Sequence, residues 1–251
     1  MNNLRISTMT AISSLNSDIN LDNLYQNITT DSVIPYIQHG AHGSKGSIKK
    51  PTRKSRKPQK KKTFFNQVTL HVQCEKIVNV KLFNNGKIQM TGLKYEDHGS
   101  KVLDILVPEL LRLDQSHENT VLSHSDIHYT PMNIVLINSD FSLGFPIKRD
   151  VLHEEIVKAG YYSSYEPCIY PGVNSKYYYN TLQKDGICTC KTMCNGKGDG
   201  CSDGGCKKVT VAVFKSGQAI ITGARSREQL NVAYDFITRF IGERKDILTL
   251  C

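Results

Sequence analysis

No run of about 18 apolar residues occurs in the 251-residue chain, so no segment reads as a membrane-spanning helix. The opening Met1-Asn2-Asn3-Leu4-Arg5 leads into Ser and Thr without the apolar stretch of a secretory signal, so a reducing intracellular setting is expected. Acidic residues are missing altogether from residues 45–62, where ten Lys and Arg stand together. That absence locates the charge surplus. The chain has 32 Lys+Arg against 23 Asp+Glu, a net +9, and without those ten the balance is 22 against 23. A basic balance hints at nucleic acid, but here the hint comes from one segment on an otherwise near-neutral chain. The length allows one large domain or two small ones, and 39% apolar residues suffice for a core.

Cysteine is just as uneven. Cys74, Cys168 and Cys251 are scattered, whereas Cys188, Cys190, Cys194, Cys201 and Cys206 fall within 19 residues. In a reducing compartment such a cluster more often binds metal than forms disulfides.

The chain contains an internal repeat. Lys81-Leu82-Phe83-Asn84-Asn85-Gly86 through Thr91-Gly92 reads like Ala212-Val213-Phe214-Lys215-Ser216-Gly217 through Thr222-Gly223, with Phe, Gly, Thr and Gly recurring at one offset of 131 residues. Each copy predicts a strand, a tight turn at Asn-Gly or Ser-Gly, a second strand and a terminating Gly. A helix follows in both, with apolar faces at Val102, Leu106 and Leu110 and at Leu230, Ala233, Ile237, Phe240 and Ile241. Upstream, residues 6–15 and 133–143 each predict a strand leading into a short helix, at 21–28 and 149–159. Further strands are expected at 33–37 and 65–72 in the first copy, and at 161–165 and 173–179 in the second. Each half is thus strand, helix, four strands, helix. The expected division is a first repeat at 1–114, a polar linker at 115–130 and a second repeat at 131–251.

Two insertions break the symmetry. Residues 39–62 are rich in Gly, Ser, Lys and Pro, with too little apolar content to fold. Residues 181–207 carry the cysteine cluster and the Gly-rich run Asn195-Gly196-Lys197-Gly198-Asp199-Gly200.

The second half resembles the TATA-box-binding protein family. The resemblance is carried by Phe145-Pro146-Ile147, Ser163-Ser164-Tyr165-Glu166-Pro167, Pro171-Gly172, Val213-Phe214-Lys215-Ser216-Gly217 and Thr222-Gly223-Ala224. The first half matches chiefly through residues 82–92. Long insertions and an Asn/Lys/Ile-rich composition look most like the divergent versions found in large DNA viruses. The resemblance implies an α+β fold: a pseudo-symmetric saddle in which two repeats form one curved antiparallel sheet with helices on the convex face. In the family, the concave face lies in the DNA minor groove and aromatic wedges kink the duplex between base steps. Flexible steps make such a kink less costly, which reads sequence with few base hydrogen bonds.

Carried over position by position, the implied wedges are Phe65 and Phe83 in the first half and Tyr170 and Phe214 in the second. Phe64 competes with Phe65, and Tyr170 departs from the family in carrying a hydroxyl that needs a partner when buried. The implied concave positions are Thr210, Ala212, Gln218, Ile220 and Thr222, with Lys176 near a phosphate. Their first-half counterparts are Asn79, Lys81, Lys87, Gln89 and Thr91, with His71 at the phosphate position. The family's paired central Asn residues align with Thr8 and Leu136, and Thr10 and Asn138 lie two residues on. Glu166 matches a contact to the B-type general transcription factor, while the next acidic position is Cys168. The implied partners are A·T-rich double-stranded promoter DNA, a B-type factor or viral equivalent, and RNA polymerase machinery. The nucleus or a cytoplasmic virus factory is the expected setting.

The basic insertion falls on the loop that flanks the DNA backbone in the family. Lys49, Lys50, Arg53, Lys54, Arg56, Lys57, Lys60, Lys61 and Lys62, with Lys45, would add phosphate contacts without reading bases. A solvated charge run and a nuclear-import signal are the alternatives. In the cysteine insertion, Cys188, Cys190, Cys194 and Cys206 would supply four thiolates to a structural zinc, because Cys206 is tied to the start of a strand and Cys201 is not. A disulfide or free thiols remain open. His117, His124 and His128 are spread too widely to make a site.

The function expected is a non-enzymatic initiation factor that binds and bends A·T-rich DNA. One alternative is a protein-interaction scaffold that kept the saddle but lost specific DNA binding. Another is a nucleic-acid-processing enzyme, disfavoured because few acids fall on the expected concave face.

Overall fold

The structure, a computed structural model, describes residues 4–47, 64–116 and 118–250. Two compact units divide the chain: an N-terminal unit of residues 10–134, and a C-terminal unit of residues 135–251 that also takes in residues 1–9.

The N-terminal unit is built from β1 (Arg5–Ser14), whose first residues count with the other unit, α1 (Leu21–Asn27), β2 (Tyr36–His39), β3 (Gly43–Gly46), β4 (Gln67–Gln73), β5 (Ile77–Phe83), β6 (Lys87–Leu93) and α2 (His98–Ser116). Its strands lie in the order β3-β2-β4-β5-β6-β1. Strict alternation decides which face is covered. Val68, Leu70, Val72, Val78, Val80, Leu82, Ile88 and Met90 are buried. Helix α2 packs on β4 and β6 and buries Val102, Leu103, Leu106, Leu110 and Leu113. The intervening residues Thr69, Asn79, Lys81, Phe83 and Gln89 are half-buried, and Lys87 and Thr91 are exposed. These belong to the opposite, uncovered face.

The C-terminal unit repeats the plan with β7 (Asn133–Ser142), α3 (Arg149–Lys158), β8 (Tyr162–Ser164), β9 (Val173–Tyr179), β10 (Lys207–Val213), β11 (Gln218–Ala224), α4 (Arg227–Gly242) and α5 (Lys245–Leu248). Its strand order is β7-β11-β10-β9-β8. Ser226 caps α4 by accepting from the Gln229 amide at 3.2 Å, the side-chain bond expected of a Ser before a helix. Leu230, Ala233, Phe236, Ile237, Phe240 and Ile241 form the buried face of α4, which packs on β9, β10 and β11.

The two hairpins match in register. Lys81 pairs with Gln89 and Asn79 with Thr91, while Ala212 pairs with Ile220 and Thr210 with Thr222. Both turns close with the same bond, Gly86 N to Phe83 O and Gly217 N to Phe214 O, each 3.0 Å. Gly86 and Gly217 have φ of +73° and +80°, and a Cβ at either would collide with a carbonyl, of Ser17 and of Phe145 respectively. Glycine is therefore required twice, for one reason.

Three features depart from the sequence expectations. The start of the basic insertion does fold: His39 ends β2, and β3 pairs with it from Tyr36↔Gly46 to His39↔Gly43. Backbone pairing and Lys45 substitute for apolar content there. The Lys45 ammonium donates to the carbonyls of Tyr25, Gln26 and Ile28 and sits 4.7 Å over the Tyr25 ring. Second, β2 starts at Tyr36 instead of residue 33. Asp31 Oδ1 accepts from the amides of Val33 (2.8 Å) and Ile34 (2.7 Å), a side-chain-mimicked turn that delays the strand until after Pro35. Third, residues 118–130 are fastened to the N-terminal unit. Val121 and Leu122 are buried, Asp114 Oδ1 accepts from both their amides, and Leu15 and Tyr129 form a β-bridge. Among the described residues no helix is long and apolar enough to cross a membrane.

Candidate nucleic-acid interface and metal centre

In the C-terminal unit the aromatic pair is assembled. Phe214 follows β10, and its ring meets Tyr170 edge-on at 5.8 Å between centroids. Gly172 makes the approach possible, since a Cβ there would stand 2.8 Å from the Tyr170 ring and 3.2 Å from that of Phe214. Tyr170 is 40% exposed, so its hydroxyl needs no protein partner. The surrounding open face carries half-buried Thr210 and Thr222, exposed Gln218, and Ile220 at 38% exposure, with Ala212 buried between them. Lys176 stands on β9 across from Thr210, where Nζ donates to Asn174 Oδ1 (3.1 Å) and Thr210 Oγ1 (3.0 Å). Burial first, then the neighbouring Lys208, hold its pKa below the usual lysine value. On β7, Asn138 Oδ1 accepts from Thr222 Oγ1, so the amide of Asn138 is positioned by the face itself. Leu136 is half-buried on the same strand, and Thr8 Oγ1 is buried without a hydrogen-bond partner.

The N-terminal unit brings together the same positions with different chemistry. Phe83 occupies the place of Phe214, half-buried beside Ile12, Lys87 and Gln89. Phe64 and Phe65 are 61% and 66% exposed, and both extend before β4. Among the described residues no ring contact joins either to Phe83. Lys81, Gln89 and Asn79 make this open face polar where its counterpart is Ala212, Ile220 and Thr210. His71 differs from Lys176 in kind: it packs on Tyr36 at 4.9 Å, and burial lowers its pKa, which favours the neutral ring. A cationic phosphate contact from His71 is therefore disfavoured. Lys49 through Lys62 lie outside the described residues.

Sequence reasoning passed over two features of these surfaces. Ile169, beside Glu166 and Cys168, is 81% exposed at the tip of the segment preceding Tyr170. Asp140, two residues beyond Asn138, accepts from Arg5 Nη2 at 2.8 Å and from Ser7 Oγ. A lone exposed apolar residue or acid gives no periodic signal.

The cysteine insertion folds onto the ends of β9 and β10. Tyr178 N bonds Gly186 O, Thr181 N bonds Gly200 O and Lys208 N bonds Gly196 O, each at 2.8 Å. Gln229 at the start of α4 donates to Asp199 O at 2.9 Å. This wrapping brings the sulfurs of Cys188, Cys190, Cys194 and Cys206 within 4.8 Å of one another, while Cys201 is exposed and apart. The Cys190–Cys206 and Cys188–Cys206 sulfur separations are 3.3 and 3.9 Å. A tetrahedral site with metal–sulfur bonds of about 2.3 Å has sulfurs about 3.8 Å apart, so the cage has the right size for an ion. Burial first pushes the Cys206 thiol up to about 12, against a hydrogen bond from Asn180, and the three neighbouring thiols add to the rise. A bound cation would favour the thiolate form of its sulfur ligands. The site can hold a metal ion.

A family model described as "Transcription factor TFIID (or TATA-binding protein, TBP)" matches residues 131–243. A "TATA-box-binding protein-like" protein of Acanthamoeba polyphaga mimivirus is 28% identical over 257 residues, covering 95% of this chain and 65% of the relative. A "TATA-box-binding protein" of Dictyostelium discoideum is 25% identical over 156 residues, 62% of this chain and 57% of that protein. The chain thus spans about two thirds or less of either relative. Among solved structures, Methanococcus jannaschii TBP superposes with a TM-score of 0.54 at 17% identity, over 96% of this chain and 99% of that one, which shows the shared fold. With the antiparallel strands and the duplicated plan of its two units, the chain is similar to the TATA-box-binding proteins, over residues 131–243 by the family model and over nearly its whole length by the match to the mimivirus protein.

Proposed function

We propose that the protein is a non-enzymatic initiation factor that binds A·T-rich promoter DNA in the minor groove and bends it. The observation that carries this reading is the uncovered face that each hairpin presents in its own unit, where Phe83 and Phe214 close equivalent turns. In this role Phe214 with Tyr170, and Phe83 with Phe65, act as wedges between base steps. Thr210, Gln218, Ile220, Thr222, Lys81, Lys87, Gln89 and Thr91 line the groove, and Lys176 meets a phosphate. The cationic segment with Lys49, Lys50, Arg53, Lys54, Arg56, Lys57, Lys60, Lys61 and Lys62 adds backbone affinity without sequence information.

Zinc is the ion proposed for Cys188, Cys190, Cys194 and Cys206, since four thiolates in a closed tetrahedral set make a structural site. It would hold together an insertion with few apolar residues of its own. Exposed Glu166 and Ile169 support docking of a B-type transcription factor or its viral equivalent, and through it polymerase machinery. The polar N-terminal face favours one rival, a scaffold that no longer selects DNA.

The test is energy transfer between dyes at the ends of A·T-rich and scrambled duplexes, across a salt series. The expected outcome is end-to-end shortening with the A·T-rich duplex that persists as salt rises. Binding without bending, or equal responses to both duplexes at every salt, would sink the proposal in favour of charge-driven or scaffold roles.

A further inference from the structure

The geometry points to a second metal site, separate from the cysteine cage, in which Asp22, His39 and His42 bind a divalent transition-metal ion in the N-terminal unit. The three side chains come from different elements: Asp22 from the first turn of α1, His39 from the end of β2, and His42 from the turn into β3. One ligand atom from each lies within 4.8 Å of the others. His42 Nε2 is 2.6 Å from Asp22 Oδ1, and His39 Nδ1 is 3.7 Å from that same oxygen.

His39 supplies the observation that separates this cluster from a chance surface triad. It is 4% exposed, and its Nδ1 is buried without a hydrogen bond. A buried polar atom left without a partner lowers stability, so it calls for an explanation. Its other nitrogen, Nε2, lies 3.2 Å from the Phe65 carbonyl. A carbonyl only accepts, so in the neutral ring Nε2 carries the proton and Nδ1, 3.7 Å from Asp22 Oδ1, keeps a lone pair. A ring fixed by a backbone carbonyl on one nitrogen, with the other left bare, is the arrangement of a metal-ligating histidine and its orienting partner. The Tyr25 ring stacks on His42 at 5.3 Å and its hydroxyl donates to the His42 carbonyl, which holds the second imidazole in place. The nearby ammonium of Lys45 is engaged by the carbonyls of Tyr25, Gln26 and Ile28.

Two imidazoles and one carboxylate select zinc, cobalt or nickel over magnesium or calcium, which prefer all-oxygen shells. With bonds of about 2.0–2.1 Å, tetrahedral ligand atoms stand about 3.3 Å apart, so the 2.6 Å contact opens and the 3.7 Å contact closes by modest side-chain shifts. Three protein ligands leave a fourth position for water, whereas four cysteines would fill a tetrahedral shell. Its structural effect would be to tie α1 to the β2–β3 turn. Through His39 Nε2 it also fixes the Phe65 carbonyl, a consequence that matters for DNA only if the wedge role of Phe65 holds; metal binding itself does not depend on that reading.

The test is titration of the metal-free, reduced 251-residue chain with Co2+ at about pH 7.5, read by absorbance and calorimetry. Two equivalents are expected, one with thiolate-to-metal charge transfer and one with ligand-field bands alone. Asp22→Asn and His42→Ala, both at positions with solvent access, should weaken the second by about 10- to 100-fold and leave the charge-transfer band unchanged. Two substitutions on different elements guard against one of them misfolding, which circular dichroism checks. Absence of a non-thiolate equivalent, or equal affinity in both folded variants, would overturn the proposal. DNA binding is not part of the readout, so failure here leaves the promoter reading untouched.

Discussion

The two units repeat one scaffold with different surface chemistry. Position for position, Ala212 and Ile220 of the C-terminal hairpin correspond to Lys81 and Gln89 of the N-terminal one, and each pair faces across its own two strands. Tyr170 and Phe214 are already in contact, whereas Phe83 has no ring partner among Phe64 and Phe65. Lys176 stands where the N-terminal unit has a largely neutral His71. The cationic segment then falls in the unit whose face is least suited to the apolar floor of a minor groove. A duplicated fold needs the same buried residues twice, because each helix must cover a sheet. It places no such demand on the open face, which is free to diverge. On the proposed reading, the C-terminal unit reads DNA by shape and wedge, and the N-terminal unit holds it by charge.

Deleting residues 48–63 should produce the largest change. If five of the nine charges so removed meet phosphates, the slope of log affinity against log salt falls by roughly four to five. Near 0.1 M salt this amounts to several decades of affinity. The preference for A·T-rich over scrambled duplex should survive the deletion, because phosphate contacts carry no sequence. Fluorescence anisotropy over a salt series measures both quantities. Loss of the preference along with the affinity would break the division of labour between the units.

Phe214→Ala should come next. Removing a preassembled wedge forfeits stacking at a kinked step, about 2–3 kcal/mol, or roughly 30- to 150-fold in affinity, with the bend reduced. Phe83→Ala should cost only about 1 kcal/mol, since the N-terminal rings have still to be ordered on binding and return less. The comparison uses gel-shift affinity and end-to-end energy transfer on one A·T-rich duplex. Equal losses would mean that the ring contact between Tyr170 and Phe214 confers no advantage.

Much of this organisation is legible in the sequence, for identifiable reasons. Alternation of Val78, Val80 and Leu82 with Asn79, Lys81 and Phe83 fixes both the strand and its faces, because a one-residue slip would invert all six. Gly86 and Gly217 mark the turns because positive φ next to a carbonyl admits little else. The four-cysteine set, with Cys201 excluded, follows from Cys206 being bound to the start of β10. What escapes sequence reading lacks a period. Strand β3 is Gly-Ser-Lys-Gly, held by backbone pairing and by Lys45, and neither leaves an apolar trace. Helix α5 spans four residues, about one turn, too short for a helical repeat to register. Asp22, His39 and His42 meet only because α1 lies against β2, a tertiary contact that their spacing along the chain does not announce.

The smallest expected effect is also the most direct test of the contrast: converting one face into the other with Lys81→Ala and Gln89→Ile together. Lys81 and Gln89 are cross-strand partners on the open face, and their replacements are the residues already present at the matching places in the C-terminal hairpin. Both are half-buried and outside the core, so the melting temperature should move by no more than a few degrees. An apolar floor fits an A·T minor groove, which lacks the guanine amino group, and should raise discrimination against scrambled duplex by about 5- to 10-fold. If the Lys81 ammonium also reaches a phosphate from the groove, its loss should lower the salt slope by about 0.9. The two readouts separate the possibilities. A lower slope with unchanged discrimination would place Lys81 on the backbone with Gln89 clear of the bases. No change in either would remove the N-terminal hairpin from the interface, and leave the C-terminal unit and the cationic segment as the elements that meet DNA.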